Sequence, residues 1–410
     1  MQSSKTHWPS ILTLIPLTLG ALVSLTAALA TGMTSIIGLF DGSADPASDM
    51  IRSFASGFEM IVLCICGWFI LQKVMQKAQA DLPLQFPFSR WLIFAIPAIV
   101  IFCIGIGAAV SISQVKWLGW LILPFLTIVV IVLPILLFLG IGTNGIVFGP
   151  RWKALSTLGI GMTVGPLVMI VLEVLVLIFF VIIAAIFLAN QPQLINELSR
   201  TGKLLRQGVN EEAAIKLLIP FITKPAVIAS IFLYLSLIVP LIEELFKPLA
   251  VWLFASKLHS PANGFALGLL SGGAFALIES LNVSGDGSSS WVVIVSVRAG
   301  TSLLHMTTCG MMGHAIVQLF QQKKIGRFVV TYLTAAALHG LWNACAAGAA
   351  FTSLAEYVGK PEWLQDLPAA ICGIAVLASG MMAVLIAANR KVRTANLSVP
   401  ELVPNKEGVK

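Results

Sequence analysis

The stretch Ile238–Trp252, IVPLIEELFKPLAVW, sets two carboxylates and an ammonium inside a run otherwise apolar enough to cross a membrane. A charge at the bilayer centre costs about 2.5–3.5 kcal/mol on insertion scales, so charged residues there are rare and tend to be functional. Glu243, Glu244 and Lys247 therefore bear on fold and chemistry together. The rest of the chain has the same apolar character. Of its 410 residues 58% are hydrophobic and 10% charged, against roughly 25% charged in an ordinary soluble domain. Apolar runs of about 20 residues recur, each long enough to span a bilayer as a helix. The fold class read from this is all-α, a polytopic membrane helix bundle.

Ten spans are expected, near 10–40, 54–74, 91–113, 117–142, 158–189, 225–256, 262–284, 291–321, 327–352 and 366–389. Basic residues fall in alternate loops: Lys73, Lys77 and Arg90, then Arg151 and Lys153, Lys257, Lys323, Lys324 and Arg327, and finally Arg390, Lys391 and Arg393. The other loops carry acids: Asp41, Asp45 and Asp49, then Asp286, then Glu356, Glu362 and Asp366. By the positive-inside bias both termini face the cytoplasm. The net charge of +7 is thus a matter of topology, and no nucleic-acid partner is expected. Lys5, an apolar run and Ala27–Ala30 (AALA) resemble a signal peptide, but the run is long for one, and a retained first helix is expected. The six cysteines are scattered through the spans and form no paired framework or metal-type cluster.

The chain divides into an amino-terminal five-span region (1–190), a polar, amphipathic external connector (191–224), a core of four spans (225–352), and a last span with a cytoplasmic tail (353–410). The polar residues gather in the second half. In the sixth span Glu243 and Lys247 are four apart and Glu244 and Lys247 three apart, so all three share a helix face. Pro240 removes a backbone hydrogen bond just ahead of them and should kink the helix. A self-neutralising Glu–Lys pair that only pins the helix is the plainer alternative, but two glutamates against one lysine leave a carboxylate over. In the seventh span Gly264, Gly268 and Gly272 make small-xxx-small steps that let helices approach closely, and Phe275 and Glu279 follow on the same face. The eighth span carries Arg298 and His305, seven apart, with His314 further along. The ninth carries His339 and Asn343 one turn apart.

At 1.5 Å per residue, Glu243 and His339 lie roughly 18 Å, His305 roughly 24 Å and Glu279 roughly 25 Å from the expected cytoplasmic ends of their spans. Four helices thus bring polar groups to one layer, which scattered structural polars would not do. Carboxylates and imidazoles in a hydrated layer suit activation of water: a glutamate takes its proton, while a histidine and an amide steady the oxyanion. The same residues suit a divalent metal, with Glu279, His305 and His339 as the candidate ligands, since two histidines and a glutamate form a zinc shell. Metal-free and zinc versions both stay open.

These motifs resemble the PrsW family of intramembrane proteases, relatives of the CAAX prenyl endopeptidases and bacteriocin-immunity membrane proteases. Residues 243–247 match EExxK, Phe275 with Glu279 matches FxxxE, Arg298 with His305 matches the third motif, and His339 with Asn343 matches HxxxN. The resemblance covers roughly 225–350. It implies Glu243 as water-activating base with Glu244 in support, Glu279 where CAAX relatives carry histidine, His305 as catalytic histidine or metal ligand, and His339 with Asn343 as oxyanion pair. Lys247, Phe275 and Arg298 support them. The expected activity is hydrolysis of a membrane-anchored protein, such as an anti-sigma-factor-like regulator, near the external face of a bacterial cytoplasmic membrane. Five additional amino-terminal spans and the long connector depart from a minimal member of that family. A proton- or ion-coupled transporter is the alternative, for which Glu59 and Glu173 would serve. A non-catalytic relative binding a partner or lipid is a third reading.

Overall fold

The computed structural model describes residues 7–397 apart from 43, 44, 114, 210, 259, 286 and 289. Lys5, part of the signal-peptide resemblance, and Asp286, one of the loop acids, lie outside the described residues. Among the described residues, ten helical segments are long and apolar enough to cross a membrane, and they follow the ten expected runs. Helices α1 (Trp8–Asp41), α2 (Pro46–Val74), α3 (Leu92–Ile112) and α4 (Lys116–Gly142) come first. Two short antiparallel strands, β1 (Pro83–Leu84) and β2 (Gly149–Pro150), pair the loops after α2 and α4. The fifth span is broken, into α5 (Arg151–Met162) and α6 (Val164–Ala189), at Thr163 with φ −123° and ψ −78°. Two helices, α7 (Pro192–Arg206) and α8 (Glu211–Ile222), form in the polar stretch that follows.

The sixth span is the most interrupted. Helix α9 (Pro225–Leu233) runs into a π-helical turn at Tyr234–Ile238, then α10 (Val239–Phe246), and Pro248 separates this from α11 (Leu249–Phe254). The expected kink at Pro240 is thus a π turn just before it. Pro240 has no N–H to give, and a single π turn absorbs the misfit at such points in functional helices. The chain continues through α12 (Pro261–Val283), α13 (Trp291–Gln322), α14 (Ile325–Ser353), the short α15 (Ala355–Val358) and α16 (Leu367–Leu397).

The chain forms two compact units that interleave in sequence: residues 1–163, 248–328 and 381–410 in the first, 164–247 and 329–380 in the second. Helix α12 is the core of the first unit, with Ala266, Leu267, Leu269, Ala274 and Ala276 fully buried. Its glycine stripe does what the spacing predicts. A Cβ on Gly268 would meet the Cys309 carbonyl of α13, and one on Gly272 the His305 carbonyl, so the two backbones touch where a side chain would stand. Buried Trp291 ties α13 to α4, its Nε1 donating to Thr127 Oγ1 at 2.9 Å. Overpacking at such a contact costs about 1–3 kcal/mol. Gly268→Val is accordingly expected to lower the thermal midpoint of the purified protein by several degrees, whereas Gly380→Val, at a position with open space around it, leaves it nearly unchanged.

In the second unit α14 packs on the π turn and α10. A Cβ at Gly340 would overlap the Ser236 carbonyl, and Tyr332 Oη donates to the Leu241 carbonyl at 2.8 Å. Tyr234 Oη donates to the Glu173 carbonyl of α6 at 3.2 Å, and its ring sits edge-on to Phe180.

Candidate active site

In the second unit, α10 is an eight-residue helix bracketed by Pro240 and Pro248, and it presents the acidic pair. One helical turn puts the Lys247 Nζ 2.8 Å from Glu243 Oε2 and 2.9 Å from Glu244 Oε1. The lysine side chain and Glu244 are sealed from solvent, while the Glu243 side chain keeps 10% exposure. His339 of α14 completes the cluster. Its Nδ1 lies 3.0 Å from Glu244 Oε1 and its Nε2 3.8 Å from Glu243 Oε2. Lys247 Nζ also lies 3.3 Å from Nδ1. The nearer, anionic Glu244 oxygen is the better partner for that nitrogen, so we assign Nδ1–H as donor to Glu244 and leave the Nε2 lone pair facing Glu243.

Two carboxylates face one ammonium in this cluster. Glu244 Oε2 is moreover buried with no hydrogen-bond partner among the described residues. This donor set fits a divalent metal. A carboxylate on one imidazole nitrogen is the arrangement that orients metal-ligating histidines. Two ligands at 2.0–2.1 Å in tetrahedral geometry stand about 3.4 Å apart, and the 3.8 Å between Glu243 and His339 needs an adjustment of a few tenths of an ångström.

Asn343, one turn beyond His339, has its Nδ2 2.9 Å from the Leu235 carbonyl. The π turn explains the contact. The Val239 N–H goes to the Tyr234 carbonyl, and Pro240, next in line for Leu235, has no N–H, so that carbonyl is left without a backbone donor. One amide hydrogen of Asn343 is therefore committed to the turn that carries the acidic pair. Losing it strands a carbonyl at a cost of about 1 kcal/mol or more. Asn343→Ala is expected to lower stability by that amount in thermal unfolding, whatever its effect on chemistry.

In the first unit Glu279, Arg298 and His305 form a second cluster. Glu279 Oε2 accepts from His305 Nε2 at 2.8 Å and is ion-paired with the Arg298 guanidinium, whose Nε reaches Ser280 Oγ at 3.2 Å. The Phe275 ring lies edge-on to the His305 imidazole, with centroids 5.1 Å apart. The Glu279 side chain is 31% exposed and that of His305 1%. Glu279 is thus held by two donors and acts as the orienting partner of the histidine. His314 is separate, its Nδ1 against the Pro261 carbonyl at 3.3 Å. Glu59 is buried and accepts from Asn282 Nδ2 at 3.1 Å; it binds α2 to α12.

Glu243, Glu244, Lys247 and His339 fall in the first cluster and Phe275, Glu279, Arg298 and His305 in the second, while Asn343 binds the π turn and His314 and Glu59 lie apart. Two tyrosines also pack against these elements. Tyr332 precedes His339 by seven residues, so it shares its helix face, and that spacing was a readable signal. Tyr234 marks a π turn, for which sequence offers no comparable sign.

Carboxylates paired with imidazoles on membrane-spanning helices, one of them broken, suit a hydrolytic class of membrane protein. The family comparison makes this specific: the sequence model of the PrsW family intramembrane metalloproteases matches residues 149–360. The chain belongs to the PrsW family. It is an integral membrane peptidase whose substrates are membrane proteins, and the transporter reading is not favoured. The match begins at β2 and takes in α5–α8, beyond the 225–350 that the motifs cover. No curated protein and no solved structure matches the chain.

Proposed function

We propose that the protein hydrolyses a peptide bond of a single-span, membrane-anchored regulator of the anti-sigma-factor type, near the external face of a bacterial cytoplasmic membrane, with both termini of the chain in the cytoplasm. The observation that carries this reading is the Glu243–Glu244–Lys247–His339 cluster. Glu243, the more accessible carboxylate, takes a proton from water as the water oxygen attacks the scissile carbonyl carbon. The C–N bond then breaks, and the proton passes from Glu243 to the departing amine. Glu244 fixes the tautomer and ring plane of His339, and Lys247 holds the two carboxylates in place by pairing with both. Asn343 has one amide hydrogen left for the oxyanion. The Glu279–Arg298 pair orients His305, which serves the same reaction.

The family description points to a metal, and zinc suits these ligands. Glu243 and His339 Nε2 are the second unit's candidates to hold it. When bound, the ion polarises the carbonyl and acidifies water. Mass-spectrometric metal analysis tests this assignment independently of turnover. Wild type is expected to carry close to one equivalent of zinc, and His339→Ala less than a tenth of that. A metal-free wild type that still cleaves would establish the glutamate-only mechanism.

A further inference from the structure

Within the first unit, α2, α4, α5 and α12 enclose a cavity of about 310 Å³ with no polar surface. Leu136, Leu155, Leu158 and Leu277 are among its walls, and its rim is the segment Leu84–Pro87, where Gln85 and Pro87 are exposed. Water gains nothing in such a space, since it needs two to four polar partners. A cavity of this kind opening beside a bilayer suits an apolar chain.

A second observation says what heads that chain. Arg151, Leu155 and Leu158 stand at i, i+4 and i+7 of α5, so Arg151 stands on the helix face that lines the cavity, one turn before Leu155. The Arg151 N–H is bonded to the Leu82 carbonyl at 3.0 Å, which fixes the residue beside the Leu84 wall. Its Nε is buried without a hydrogen-bond partner among the described residues. Lys153, on the same helix, turns to the Lys257 carbonyl at 3.2 Å and adds a second cation at this end. An apolar cavity with an arginine near its rim whose buried Nε lacks a partner is complementary to an acyl chain joined to an anionic headgroup.

We infer that this cavity is a binding site for an anionic phospholipid, with one acyl chain among Leu136, Leu155, Leu158 and Leu277 and the phosphate on Arg151. The site is separate from the catalytic clusters and does not depend on their chemistry. Met306, next to His305 in α13, forms part of its wall, so a bound chain buttresses the helix that carries the histidine.

The test is native mass spectrometry of the full-length protein released from detergent, with dioleoylphosphatidylglycerol and dioleoylphosphatidylcholine as probes. Wild type is expected to retain one phosphatidylglycerol about tenfold more strongly than phosphatidylcholine, the scale of one charge-assisted contact. Arg151→Gln is expected to remove that preference, and Leu158→Trp, which fills the cavity, to reduce retention of both lipids at least tenfold. Leu155→Phe replaces Leu158→Trp should the latter show no cooperative melting. A wild type that retains neither lipid, a cavity-filled variant that retains both, or an unchanged preference in Arg151→Gln would each overturn the assignment.

Discussion

Replacing Glu243 by glutamine is expected to reduce peptide-bond cleavage about 10²–10⁴-fold while leaving the protein folded and in the membrane. Glutamine matches glutamate in shape but cannot take a proton from water, and loss of a positioned general base has that order of effect. Folding survives because Lys247 keeps Glu244 as its ion partner at 2.9 Å, so no buried charge is stranded. Glu244→Gln is expected to fall by a smaller factor. That residue acts through His339, and a glutamine oxygen still accepts from Nδ1. Rates of the two variants on one reporter substrate, at matched protein levels, check the ordering. Equal rates for Glu243→Gln and wild type would remove Glu243 from the chemistry.

The largest loss of stability is expected from Lys247→Met. The lysine side chain is fully buried and touches Glu243 and Glu244 at once. Methionine fills much of the same space but leaves two buried carboxylates facing one another, and stranding a buried charge costs about 3–5 kcal/mol. The thermal midpoint and the yield of folded protein should both drop sharply. Adding Glu244→Gln removes one stranded charge and should recover part of the loss, a coupling that two independent sites would not show. A Lys247→Met protein as stable as wild type would mean that these ion pairs contribute nothing to the fold.

The parts legible in the sequence were those governed by local geometry. Hydropathy alone located the ten spans, because the bilayer fixes how long an apolar helix must be. The contacts of Lys247 with both glutamates follow from helical spacings of three and four. The close approach of α12 and α13 follows from Gly264, Gly268 and Gly272, whose missing side chains are a direct statement about distance. What escaped depends on partners far away in the chain. The break at Thr163 is the exception, since Pro166 three residues on has no N–H for the Met162 carbonyl and marks the place locally. The Asn343 contact needs the π turn to free the Leu235 carbonyl and α14 to arrive in register. Sequence suggested Asn343 as an oxyanion donor; the structure gives one of its hydrogens to the backbone first. Glu59 is similar: its depth in α2 was visible, but its partner Asn282 lies 223 residues on. The interleaving of the two units likewise reflects packing between segments distant in sequence.

The role proposed for this cluster is to cut peptide bonds in membrane proteins. The most direct measurement compares new protein termini in membranes of cells expressing wild type or Glu243→Gln at equal levels. The expected result is a set of fragments found only with wild type, ending near the outer face of single-span proteins. Identical sets of termini from both strains, under several envelope stresses, would contradict it.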